Sequence, residues 1–143
     1  MRSFILLMLF SYCTATAQTN STHIHKVPFS YMKVNEGNLC VHRSGASVIQ
    51  TDPAWMKVHM LCKDDSLINI NFNENTVWQR SSMGDCRAIF THILYMDTVA
   101  KKMIWEEHKH YGGCRAAKFE DFRIVFRKPP DGYTFETTEV LEK

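Results

Sequence analysis

From Pro28 onward, apolar and polar positions alternate in short runs broken by polar corners, the period expected of half-buried strands. Asn38 to His42 precedes the turn-like Arg43-Ser44-Gly45. Trp55 to Cys62 alternates with Met56, Val58, Met60 and Cys62 on one face, and Lys63-Asp64-Asp65-Ser66 follows as a corner. Leu67 to Phe72 sets Ile68, Ile70 and Phe72 opposite Leu67, Asn69 and Asn71, and the Asn73-Glu74-Asn75 corner leads into Thr76 to Gln79. Near the end, Phe122 to Arg127 and Tyr133 to Val140 flank Pro129-Pro130-Asp131-Gly132, which predicts a hairpin.

The segment from Cys86 to Tyr111 carries two periods at once. As a hairpin, Ala88 to Met96 and Lys102 to Glu107 are strands joined around Asp97 to Lys101, with Cys86 opposite Cys114. As a helix, Ile89, Ile93, Met96, Ala100, Met103, Ile104 and Tyr111 recur at three- and four-residue spacing. A helix over the whole segment would run roughly 39 Å and forbid a Cys86–Cys114 bridge. The hairpin is therefore favoured. The expected fold is mainly β: a small antiparallel sheet domain, sandwich or barrel-like, with two disulfides. The alternative is α+β with a helix within 86–111.

The amino-terminal residues change the picture. Arg2, the apolar run Phe4 to Phe10 and the small-x-small Ala15-Thr16-Ala17 match a secretory signal over residues 1–17, too short and too soon polar to span a bilayer. Residues 18–27 read as a flexible polar lead-in, and 28–143 as a single disulfide-stapled domain. Removing the signal leaves about 126 residues, an ordinary single-domain length. Cys13 leaves with it, so the cysteines at 40, 62, 86 and 114 form an even set in an oxidising route. Cys40, Cys62, Cys86 and Cys114 are expected to pair as two disulfides, of three possible connectivities. Asn20-Ser21-Thr22 makes Asn20 a candidate glycan acceptor.

Charge and chemistry narrow the function by subtraction. The formal charge of +2 is spread along the chain, with no Lys/Arg stripe of the kind that tracks phosphates, so no nucleic-acid partner is expected. His108 and His110 would share a strand face, but spacing supplies no third ligand, so no metal site is assigned. His23-x-His25 lies in the lead-in, and the adjacent Glu106 and Glu107 read as ordinary surface. No Gly-x-Ser-x-Gly elbow, phosphate loop or calcium loop is present, so no catalytic residue and no cofactor is assigned. His42, His59, His92 and His108 are available to a two-histidine hydrolase without any recognisable spacing.

What remains is an apolar inventory: Trp55, Trp78 and Trp105, with six of the eight methionines lying beyond the signal. The expectation is a secreted, extracellular binding or interaction module that contacts an extracellular protein and has no membrane span. The alternative is a small carrier of an apolar small molecule, lipocalin-like, although the Gly-x-Trp near the start of such barrels is absent. A secreted hydrolase ranks last.

Overall fold

Two long segments, Asn75–Asp85 and Ala117–Arg127, pair antiparallel along their full length and form the spine of the protein. A computed structural model of the chain describes residues 23–32, 47–62 and 68–142. In chain order its elements are β1 (Ile24–Lys26), β2 (Phe29–Tyr31), β3 (Ser47–Ile49), α1 (Asp52–Cys62), β4 (Asn75–Asp85), β5 (Ile89–Asp97), β6 (Lys102–His110), β7 (Ala117–Arg127) and β8 (Thr134–Glu142). The fold is mainly β, as the alternation implied. One sheet runs β1-β5-β6-β8 and the other β2-β7-β4-β3.

The sheets meet through alternate residues. Trp78 of β4 with Ile124 and Phe126 of β7 packs against Leu94 of β5 and Met103 and Trp105 of β6. The Trp78 ring stands edge-on to both Trp105 and Phe135, with centroids 5.3 Å apart in each case. Residues of opposite parity on β4 and β7, such as Val77 and Val125, face away from this core. There they meet Trp55 and Val58 of α1, with Ile49, Ile70 and Phe72. The order of layers is thus helix, second sheet, first sheet. Val27 and Pro28 carry the chain between sheets: Val27 N–H donates to Leu94 O at 2.8 Å, and Met32 N–H donates to Arg123 O at 2.8 Å.

The hairpin reading of 86–111 holds. β5 and β6 pair from Ile89↔His110 to Asp97↔Lys102, and Cys86 is bridged to Cys114 with Cα atoms 5.6 Å apart. The Asp85 carboxylate seats this loop, accepting N–H bonds from Cys114 at 2.9 Å, Arg87 at 3.0 Å and Gly112 at 3.3 Å. Gly112 is required by space, since a Cβ there would lie 2.3 Å from Arg87 Cβ. Cys62 is also disulfide-bonded. Cys40, Asn20, the segment 1–17 and the strand expected at Asn38 to His42 lie outside the described residues. The Cys86–Cys114 bridge closes a loop of 28 residues. Serine at both positions should lower unfolding stability by about 2–4 kcal/mol, read as a shifted urea midpoint at unchanged slope. A shift under about 1 kcal/mol would contradict this account of the bridge.

Four expectations need correction. Trp55 to Cys62 is the last three-quarters of a helix, not a strand. Thr51 caps it, its carbonyl accepting Trp55 N–H at 3.0 Å, while Asp52 and Pro53 fill the first turn, where a missing N–H does no harm. Ile68 to Phe72 is unpaired chain ending in a turn, although Ile70 and Phe72 are buried as the alternation implied. The supposed flexible lead-in contains β1, paired to β5. Lastly, β7 and β8 do not form a hairpin. Pro129 to Gly132, with Gly132 at φ 85°, carries the chain across to the other sheet, where β8 lies parallel to β6.

Candidate functional site

The register of β6 places Met103, Trp105, Glu107 and Lys109 on the inner face, so two charged groups follow two core residues between the sheets. Glu107 has no exposed surface. Its carboxylate accepts from Ser82 Oγ of β4 and lies 3.2 Å from His92 Nε2 of β5. Arg80 Nε approaches it to 3.4 Å and Lys109 Nζ to 3.2 Å. Both cations also reach Glu139 on β8, Lys109 Nζ at 2.9 Å and Arg80 through Nη2. On the other side, Tyr31 Oη of β2 lies 2.8 Å from His92 Nδ1. The cluster therefore ties β2, β4, β5, β6 and β8 together.

Electrostatics fix the protonation of its members. Burial alone would push the Glu107 carboxyl up, but bonds from His92 and Ser82 and the charges of Arg80 and Lys109 bring it to about 2. Burial would likewise favour a neutral Lys109, yet Glu139 and Glu107 hold its ammonium above the ordinary lysine value. Lys109 in turn keeps Glu139 below the ordinary carboxylate range. Partial burial and the nearby Glu120 raise the Tyr31 phenol, so it stays protonated beside His92 Nδ1. The imidazole is wedged edge-on against Phe122 at 4.3 Å and Trp105 at 5.2 Å.

Tyrosine, histidine and buried glutamate in a row resemble a hydroxyl–base–orienter relay, with the hydroxyl in its protonated form. The two cations balance the two carboxylates, and every acid and base contacts a partner inside the cluster. Tyr31 is 56% exposed, so the hydroxyl end of the row reaches solvent while His92 and Glu107 are buried behind it.

The other candidate residues are dispersed. His59 lies on α1, beyond the second sheet from His92, and His42 is outside the described residues. His108 and His110 do share the outward face of β6. His108, however, has a carboxylate against each ring nitrogen, Glu106 at 2.7 Å from Nε2 and Glu142 at 2.8 Å from Nδ1. The two carboxylates lie on opposite sides of the ring and cannot join it around one ion. Among the described residues no three His, Cys, Asp or Glu side chains are grouped to hold a metal. Of the neighbouring carboxylates in the sequence, Asp64 and Asp65 lie outside the described residues and Glu120 pairs with Lys118 at 2.7 Å.

Among the described residues two surfaces stand out as open to partners. A groove at the Pro129–Asp131 end of the sandwich is floored by Met96 and Met103 and rimmed by Lys26, Arg127 and Lys128, with Glu74 and Asp131 interspersed. Both signs of charge line it. The second surface is convex: Met56, Met60 and Leu61 on α1 are 44%, 67% and 58% exposed. Sequence reasoning missed both Glu107 and this helical face. The helical face was legible from the Thr51-Asp52-Pro53 helix start, whereas Glu107 shows its role only through partners on other strands. Among the described residues no helix is long and apolar enough to cross a membrane. Comparison with known protein families, with curated proteins and with solved structures found no match for this chain.

Proposed function

We propose that the chain is a secreted extracellular binding module that takes a protein partner on the outward face of α1. The supporting observation is the second apolar face of that helix. Trp55, Val58 and Cys62 point to the sheet, while Met56, Met60 and Leu61 point to solvent beside Lys57. A surface helix normally shows one apolar stripe, and a second one stays wet until something covers it. A convex helical face suits a macromolecule, since small-molecule sites are concave. Methionine in such a stripe adapts to a partner's contour. The secretory pattern at residues 1–17 and the Cys86–Cys114 bridge are consistent with this setting, with Asn20 as the glycan acceptor.

A second reading, a carrier of an apolar small molecule, draws on the Met96–Met103 groove. Trp78, Leu94 and Trp105 fill the space behind it, so a ligand would lie in an open trough and not in a chamber. The test is a binding screen of the purified chain against extracellular ectodomains, with Met60→Glu as comparison. The expected result is an ectodomain bound at least tenfold more weakly by the variant, about 1.4 kcal/mol. No bound ectodomain, or equal affinity for both chains, overturns the proposal.

A further inference from the structure

β8 is an edge strand, exposed along most of its length, and charge pairs fasten it to β6 at intervals: Lys102 to Glu136 at 2.7 Å, Lys109 to Glu139 at 2.9 Å and His108 to Glu142 at 2.8 Å. Only the last of these uses a group that titrates near neutrality. We propose that His108 is a proton-gated latch that fastens the far end of β8 and releases it as pH rises.

The geometry demands a cation. A neutral imidazole can donate from one nitrogen only, whereas His108 faces Glu142 with Nδ1 and Glu106 with Nε2. Loss of the proton leaves a lone pair against a carboxylate on one side. The register places its neighbours on the outward face. β5 contributes Ile89, Thr91 and Ile93, none of which titrates; β8 contributes Thr138, Val140 and Glu142; β6 itself contributes Glu106 and His110. Two carboxylates against one further histidine leave the local field favouring the proton. Bonds to Glu106 and Glu142 accordingly raise His108 above its ordinary value of 6.5. The folded chain thus holds the proton more tightly than the unfolded one. The contribution is fully present below the ordinary histidine value and is lost as pH rises through the raised one. Released, Val140 to Glu142 fray, and the β6 edge at His108 to His110 is left without its neighbour.

Histidine titration by NMR, with amide exchange of the full chain at the same pH values, tests this directly. His108 should titrate above 6.5, and protection at Val140, Leu141 and Glu142 should fall several-fold across its midpoint while Phe135 to Thr137 holds steady. Glu142→Gln should move the midpoint back toward 6.5, and His108→Gln should abolish the pH dependence. Both replacements are on the surface of the sheet. A His108 midpoint at or below 6.5, or protection of Val140 to Glu142 that ignores the titration, overturns the latch.

Discussion

Glu107→Ala should be among the most damaging single replacements in this protein, lowering its stability by about 3–5 kcal/mol in urea unfolding at neutral pH. The carboxylate is fully buried, and Arg80 and Lys109 both lie against it. Removing it leaves two cations between the sheets with only the half-exposed Glu139 to answer them. Glu107→Gln keeps the shape and should fall between wild type and alanine. The same group sets the acid limb of stability. Its folded carboxyl sits at about 2 against an ordinary 4.5, so the stabilisation is present above 4.5 and is lost as pH falls toward 2. A series of urea midpoints from pH 6 to pH 2 should therefore fall steeply for wild type and less so for Glu107→Gln. Equal slopes would show that the cluster carries no net stabilisation.

Trp105→Ala is expected to match it by a different physical route. The indole is wholly buried at the centre of the inter-sheet core, with Trp78 edge-on at 5.3 Å and His92 at 5.2 Å. Truncation opens a void bounded by two sheets that are held apart by their other side chains, so little collapse can follow. A loss of about 3–5 kcal/mol is expected. The tested quantity is again the urea midpoint, here with the His92 ring signals as a second readout. Those signals should broaden or shift, because the ring loses one of its aromatic walls. A loss below about 1 kcal/mol would mean that the core repacks freely.

The strands were legible where one face is buried and the other wet. At β5 and β6 alternation competes with a helical period, and bringing Cys86 beside Cys114 is what favours the hairpin that forms. Alternation misled at Trp55 to Cys62 because α1 is apolar on two faces, which leaves every second residue apolar by coincidence. It was silent on pairing. Pro129-Pro130-Asp131-Gly132 marks a reversal of direction, and nothing local says whether the next strand returns to the same sheet or crosses to the other. Glu107 was hidden for a related reason. A charge reads as surface until its partners are known, and Arg80 and His92 come from two other strands.

The crossing of β8 to a parallel seat beside β6 has a consequence for how the chain is made. Synthesis delivers β6 well before β8, and the segment between them contains β7, which pairs with β4 in the other sheet. Until β8 arrives, β6 offers a row of unsatisfied peptide groups to any extended segment nearby. A nascent chain thus passes through an interval in which the β6 edge is open to aggregation, until β8 covers it. The length of that interval is set by how fast β8 reaches β6, a pairing distant in the chain and so a slow one. Conditions that delay that meeting should lower the yield of folded protein without altering its final stability.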